Sequence, residues 1–463
     1  MVRDEPRSIG ASYRDPSGFI FEVGGELLRH VSLRHREHFD RFIESGLYER
    51  LLAEDLIVPH EEVDPRRSTF PEVYRVLRPE RVPFISYPYE WCFSELRDAA
   101  LVTLRIQELA LDHHMSLRDA SAYNIAFHKG RAVFIDTTSF EILPEGRPWV
   151  AYGQFCEHFL APLALMALRD PRLGLALRTY RDGIPLDLAS LLLPWRANLR
   201  PSLKMHVAFH ARTKRRHESD ATSALERTAG KFSLNAFHGL IDSLRSAIDH
   251  LPAPPSETTW SGYYRDDHDY DAEGGRAKST FVAEALDVVD PRTVWDLGSN
   301  AGRFAKISSL RGVETVAFDQ DSAAVDAAYN DARDRQDQHF LPLVMDLVDP
   351  SPGLGFAGGE RMSLEARGPA DLVLALALVH HVAIGRNVPL RLFIEQLSRL
   401  GRSVLLEWVP KEDPRVQQLL RHREDVFAQY CEEELLNAIR PLFSVARRGS
   451  VDGTGRVLYL LTR

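Results

Sequence analysis

A chain of 463 residues is longer than one ordinary hydrophobic core, so two domains are expected; 44% hydrophobic and 27% charged residues are the proportions of a soluble globular protein. The net charge of −9 speaks against nucleic-acid backbone as the main partner, because that surface rewards a basic excess. Three widely spaced cysteines, Cys92, Cys156 and Cys431, offer neither metal-ligand spacing nor a disulfide framework, and they suit a reducing cytoplasm.

The stretch Met1–Ser17 is polar and has no secretory signal. Phe19–Val23, Gly24-Gly25 and Glu26–Val31 read as a β-hairpin. Helices are expected over Arg34–Asp55 and Ser94–His114, the second from apolar residues at helical spacing such as Leu96, Ala100 and Leu104. A loop, Ser116–Asn124, leads to short strands at Ile125–His128 and Ala132–Ile135. From about Val150 to His250 the chain is Leu/Ala-rich and mostly helical. Its longest apolar run, Phe159–Leu168, is far short of the ~20 residues of a membrane span and predicts a buried helix. The basic run His210–His217 is the one candidate nucleic-acid patch, and a solvated helix end or loop is the preferred reading of it.

Pro252, Pro254 and Pro255 stop helix and sheet alike. The expected organisation is therefore an N-terminal α+β domain with a helical second half (1–250), a Pro-rich linker (251–259) and a C-terminal domain (260–463). In that last part strands and helices alternate. Strands are expected at Thr293–Leu297, Glu314–Phe318, Phe340–Met345, Asp371–Leu378 and Ser403–Trp408. Helices are expected at Gly302–Leu310, Ser322–Arg335, Pro389–Leu400 and Val416–Ala438, the last either continuous or broken. Two final strands, Phe443–Arg447 and Arg456–Thr462, form an antiparallel edge hairpin. The repeated βα units predict a doubly wound, seven-stranded Rossmann-like α/β sheet.

The sharpest motif is Val294-Trp295-Asp296-Leu297-Gly298-Ser299-Asn300-Ala301-Gly302, where the first of these strands meets its helix. Gly298 and Gly302 allow a tight turn close to a ligand, and a helix N-terminus offers N–H groups to a carboxylate. Asp319, at the end of the second strand, lies near the ~20-residue offset at which an acid reaches ribose hydroxyls. Asp346, at the end of the third, suits an adenine amino group. A nicotinamide cofactor calls for G-x-G-x-x-G, and this loop has G-x-x-x-G instead. The expected cofactor is S-adenosylmethionine, contacted by Asp296, Gly298, Asn300, Gly302, Asp319 and Asp346. Beyond the fourth and fifth strands, His380, His381 and Glu407 are the candidates for a general base. Tyr263, Tyr264, Tyr270 and Lys278 precede the first strand and are candidates for a lid.

The stretches VWDLGSNAGRF, DLVDPSPGLGF, ADLVLALALVHHVAIGRNVPL and LLEWVPKEDPRVQQLL resemble class I S-adenosylmethionine-dependent methyltransferases. More narrowly they resemble a bacterial group of nodulation-protein-like methyltransferases, and SGLYERLL, PYEWCFSELRDAALVTL and LRDASAYNIAF extend that resemblance into the first half. Arg386 stands where the group commonly carries Asn. The resemblance implies a methyltransferase. The acceptor expected here is a small polar molecule or glycan-type hydroxyl, with protein or RNA as the rival. Separately, Asp119, Asn124 and Asp136 resemble the catalytic loop and metal-binding aspartate of protein-kinase-like phosphotransferases. Leu117 stands where kinases carry His, Thr137-Thr138 follow Asp136 in place of Phe-Gly, and no Gly-rich phosphate loop is present. No strand lysine follows the hairpin; Arg29 is the nearest basic residue. The expectation is a degenerate kinase-like domain. A metal at Asn124 and Asp136 is implied only in the alternative, a bifunctional kinase–methyltransferase.

Overall fold

The computed structural model describes residues 6–209, 232–254, 272–421, 423–451 and 453–463. The chain forms two compact units: Met1–Pro255 together with Gly355–Arg361, and Ser256–Leu354 together with Met362–Arg463. The basic run 210–217 and the tyrosines at 263, 264 and 270 lie outside the described residues.

In the first unit, a five-stranded antiparallel sheet runs in the order Arg7–Ser8, Gly18–Val23, Glu26–Ser32, Val73–Pro79 and His60–Val63. The hairpin turns on Gly24 and Gly25, at φ 58° and 78°, the left-handed pair that a two-residue connection requires. The helical stretch expected over Arg34–Asp55 is two helices, Arg36–Glu44 and Leu47–Ala53, separated by Gly46 at φ 77°. Helix Phe93–Asp112 is capped by the Glu95 carboxylate, which accepts the Cys92 N–H at 2.8 Å. The expected loop then begins with a strand, Met115–Leu117, paired with Phe140–Ile142, and Ile125–His128 pairs with Arg131–Phe134. Phe159–Leu168 is helical and its apolar side chains are buried. Among the described residues, no helix is long and apolar enough to cross a membrane.

Nothing in the sequence signals that Gly355–Arg361 groups with this unit. Within it, Glu360 accepts hydrogen bonds from Tyr13 Oη and Arg14 Nε, both at 2.9 Å, and the Arg361 guanidinium lies 4.2 Å from the Tyr123 ring centre. Gly10 and Gly359 pack so closely that a Cβ on Gly10 would meet the Gly359 carbonyl oxygen at 2.2 Å.

The second unit contains seven strands: β1 (Thr293–Leu297), β2 (Glu314–Asp319), β3 (Phe340–Val344), β4 (Ala370–Ala375), β5 (Gly401–Trp408), β6 (Ser444–Val451) and β7 (Arg456–Thr462). Their order is β3-β2-β1-β4-β5-β7-β6; the first five are parallel, and β7 runs antiparallel to both β5 and β6. This is a mixed α/β sheet. β4 and β5 are buried on both faces, as strands sandwiched between helices are. Helix Ala272–Val289 places Phe281, Val282, Ala285 and Leu286 against Val294, Leu372, Leu374 and Leu405. Order reverses between β1 and β4, so the carboxyl ends of these strands open the crevice where such sheets take ligands.

Several element boundaries differ from expectation; the strand expected to stop at Arg447 runs to Val451. β4 ends at Ala375, because the chain turns at Ala377, φ 49°. The helix expected from Gly302 begins at Ala305, because Gly302, φ 74°, is still part of the turn. The stretch Val416–Ala438 takes the broken alternative, as helices Pro414–Leu420 and Glu432–Ile439.

Candidate functional site

The loop after β1 is shaped by three left-handed residues, Gly298 at φ 77°, Asn300 at 49° and Gly302 at 74°. A Cβ on Gly302 would lie 2.7 Å from the Phe340 ring, so the position tolerates glycine alone. The loop is tied to the end of β2. The N–H groups of Gly298 and Ser299 donate to the Phe318 carbonyl at 2.8 and 3.0 Å, and the Asn300 N–H donates to Asp319 Oδ2 at 2.7 Å. The other Asp319 oxygen accepts the Asp321 N–H at 2.9 Å, and Asp321 caps helix Ser322–Asp334. Burial raises the Asp319 pKa, and its backbone donors oppose that shift. Each carboxylate oxygen retains a second lone pair, so the group can still accept from a pair of hydroxyls.

Beyond β3, Asp346 accepts the Val348 N–H at 3.0 Å through one oxygen and Arg386 Nη2 at 2.9 Å through the other. The same guanidinium donates to Gln320 at 3.2 Å, so Arg386 bridges the ends of β2 and β3.

These strand ends line one cavity. Of the residues singled out in the sequence, Asp296, Gly298, Asn300, Asp319, Asp346 and His381 line it; Gly302, His380 and Glu407 do not. Lys278, Gly275 and Arg303 also line it. In the sequence Lys278 stands out only as a lid candidate, and Arg303 is marked by nothing beyond its place directly after Gly302. Asp296 is 2% exposed and its Oδ2 has no hydrogen-bond partner. Burial pushes its pKa up to about 7, opposed by the Ala305 N–H, which the carboxylate accepts. That acceptance occupies a first-turn donor that the sequence reading offered to a ligand.

His380 is fully buried, and neither ring nitrogen has a hydrogen-bond partner. Its pKa lies well below the ordinary value, from burial and from the positive field of His381, Arg456 and Lys278. The His381 ring lies 4.1 Å away, and burial lowers its pKa to about 4. Both imidazoles are therefore neutral near pH 7. A base whose conjugate acid has a pKa of about 4 accepts a proton weakly at that pH, but it accepts a hydrogen bond well.

Glu407, at the end of β5, is fully buried. Its carboxylate takes the Lys278 ammonium at 2.6 Å, Arg456 Nη1 at 3.3 Å and the Ala377 N–H at 2.9 Å. Arg456 in turn donates to Asp413 at 2.7 and 3.1 Å. Glu407 thus spends its acceptors on structural partners, as a buried carboxylate must, and it does not line the cavity.

In the first unit, Asp119, Asn124 and Asp136 enter one hydrogen-bond network. The Asn124 amide donates to the Asp119 carbonyl oxygen at 3.4 Å and to Ser139 Oγ at 3.2 Å, and Ser139 Oγ donates to Asp136 at 2.9 Å. Asp136 also accepts the Thr138 N–H at 2.9 Å and pairs with Arg29, which reaches it from the hairpin. Arg29 is the nearest basic residue noted in the sequence, and it faces the acid. Among the described residues, no group of three His, Cys, Asp or Glu is placed to hold a metal ion.

No family model matches the chain. Nodulation protein NoeA of Rhizobium meliloti (strain 1021) is 33% identical over 463 residues, covering 99% of this chain and 96% of that protein. Among solved structures, the bifunctional kinase-methyltransferase WbdD is 18% identical with a TM-score of 0.31; the match covers 43% of this chain and 42% of that one, less than half its length. Magnesium protoporphyrin IX methyltransferase (ChlM) from Synechocystis PCC 6803 with bound SAM is 17% identical over 45% of this chain and 93% of that one, with a TM-score of 0.32.

The Asp296 carboxyl sets a pH dependence. In the fold it keeps its proton up to about pH 7, whereas the unfolded chain releases it near pH ~4. Between those values the folded chain binds more protons, so this residue's contribution to stability falls as pH rises from ~4 to ~7. Below that window the penalty is absent, and above it the penalty is complete. Asp296→Asn cannot ionise. Urea unfolding at pH 4.5 and pH 8 should show the variant gaining on the wild type at the higher pH, by up to about 4 kcal/mol. Contributions of His380 and His381 cancel in that difference. Parallel pH profiles for the two proteins would refute the assignment.

Proposed function

The chain belongs to the family of nodulation protein NoeA, and on that premise we propose that its second unit transfers the methyl group of S-adenosylmethionine to a small polar or glycan-type hydroxyl. The carrying observation is the convergence of Asp296, Asn300, Asp319 and Asp346, from the ends of three successive parallel strands, on one cavity. The donor set suits this cofactor. Asp319 would take the ribose hydroxyls and Asp346 the adenine amino group. The unpartnered Asp296 oxygen would take the ammonium of the methionine end, and Arg303 its carboxylate. Gly298 removes a side chain where Leu378 already stands 3.2 Å from the missing Cβ, and so keeps the floor of the site narrow.

When bound, the cofactor supplies a methyl group on a sulfonium with a good thioether leaving group. The chain's own work is then to orient and desolvate the acceptor. His381, neutral and at the cavity wall, would accept a hydrogen bond from the acceptor hydroxyl, hold its oxygen toward the methyl group, and take the hydroxyl proton as the O–CH3 bond forms and the S–CH3 bond breaks, when the oxygen becomes acidic enough for so weak a base. His380 stacks behind it as a positioning residue. The acidic balance of the chain supports an uncharged or cationic acceptor over nucleic acid. Calorimetry should detect S-adenosylmethionine binding to the wild type. Asp319→Ala should weaken it by on the order of 1.5–3 kcal/mol, the worth of a hydrogen bond to charge. Equal affinity in both proteins would sink the assignment. Labelled methyl transfer into fractionated cell extract then reads the acceptor class, and label in protein or RNA would refute the hydroxyl reading.

For the first unit we propose a kinase-like backbone without efficient phosphoryl transfer. Transfer needs the migrating charge neutralised by metal and by a cation aimed at the phosphates. Asp136, the acid that would hold the metal, spends its oxygens on Arg29, Thr138 and Ser139. A magnesium site would have to displace Arg29 from a partner with which it is buried. The full chain with magnesium and ATP should show no turnover above background, and Asp136→Ala should not change that. Magnesium-dependent turnover abolished in Asp136→Ala would make the chain a bifunctional kinase–methyltransferase instead.

A further inference from the structure

Four consecutive short helical turns of the first unit, Leu186–Leu192, Trp195–Leu199, Pro201–Leu203 and Lys204–Phe209, pack against one another. Pro194 and Pro201 divide them into three pieces, the last two turns running on continuously from Pro201. Their inner side is ordinary core, with Leu186, Ala189, Ala197, Leu203 and Val207 buried. Their outer side is apolar where water would be expected: Leu191 is 74% exposed, Trp195 69%, Leu199 70% and Met205 47%. Single exposed leucines need no explanation, but a cluster on adjoining turns that includes a tryptophan does.

The charges around this cluster are mainly of one sign. From Leu186 to Phe209 these turns carry three cations, Arg196, Arg200 and Lys204, against a single acid, Asp187, in a chain whose net charge is −9. Arg196 and Lys204 are exposed, and the Arg196 guanidinium lies 5.7 Å from the Trp195 ring centre. Exposed Trp and Leu flanked by cations make the surface that an anionic lipid headgroup layer rewards. The apolar side chains enter the acyl boundary, the indole sits at headgroup depth, and the cations meet the phosphates. A second copy of the same surface is a poor partner, because a two-fold contact would set three cations against their own duplicates with only Asp187 on each side to offset them.

We propose that the Leu191–Trp195–Leu199–Met205 face, with Arg196 and Lys204, docks the chain peripherally on an anionic membrane surface. The lipid acts as an anchor and takes no part in the chemistry. This inference stands apart from the methyl-transfer reading, because it uses no residue of the cavity.

The test is vesicle flotation of the full chain at low salt, with phosphatidylcholine alone and with phosphatidylcholine mixed with phosphatidylglycerol. The chain should float with the mixed vesicles only and be released by high salt. Trp195→Ser with Leu199→Ser should lower partitioning by about tenfold or more. Arg196→Glu with Lys204→Glu should lower it by about fivefold for each cation removed. All four side chains are exposed, so the thermal transition should be unchanged; if the apolar pair misfolds, the charge pair carries the test. Equal flotation with neutral vesicles, no flotation, or flotation indifferent to both pairs would overturn the proposal. So would self-association in light scattering that the Trp195→Ser pair abolishes while no vesicle is bound, which would assign the face to a second copy.

Discussion

A single buried carboxylate, Glu407, holds together the elements that bound the cavity. Lys278 comes to it from helix Ala272–Val289, Arg456 from β7 and the Ala377 N–H from the turn after β4; Asp413 balances the second cation. Two cations and two anions are closed inside the protein. Removing one member leaves a buried charge without its counterpart, at a cost of about 3–5 kcal/mol. The network reaches the ligand loop through packing. Glu407 fixes the left-handed Ala377, and the neighbouring Leu378 side chain lies over Gly298. The narrow floor of the cavity is thus set by a charge network of which only Lys278 reaches the cavity wall, and Glu407, a candidate base from its strand-end position alone, ties these elements together.

The local features of the second unit were legible. The alternation of strand and helix, the antiparallel final pair, the G-x-x-x-G turn and the acids closing β2 and β3 all express short-range patterning, and each can be read within a window of a few residues. What was not legible is long-range. Lys278 and Glu407 are 129 residues apart, and nothing near either one announces the other. Arg386 bridging to Asp346 is equally non-local. The late start of the helix after Gly302 is a subtler case. The motif predicts a turn entering a helix, but Asp296 accepting the Ala305 N–H and the left-handed Gly302 delay the first helical residue.

The first unit shows the same division. Its Gly24-Gly25 hairpin follows from turn chemistry. The pairing of Arg29 with Asp136 joins that hairpin to a loop 107 residues later, and it gives Arg29 a partner that the spacing of Asp119, Asn124 and Asp136 cannot supply. The clustering of Glu360 with Tyr13, Arg14 and Arg181 is likewise invisible in sequence, since the acid lies within the span of the other unit. Both contacts join charges, and charges find partners by proximity in the fold, with no periodicity to betray them.

The loop from Gly298 to Gly302, with Asp319 and Asp346, is proposed to hold S-adenosylmethionine and to refuse a dinucleotide. Equilibrium dialysis of labelled S-adenosylmethionine against the full chain, with S-adenosylhomocysteine and NAD as competitors, addresses it directly. The account predicts saturable binding displaced by S-adenosylhomocysteine and untouched by NAD, because the loop lacks the glycine spacing that brings backbone to a pyrophosphate. Displacement by NAD, or no saturable binding, would contradict it.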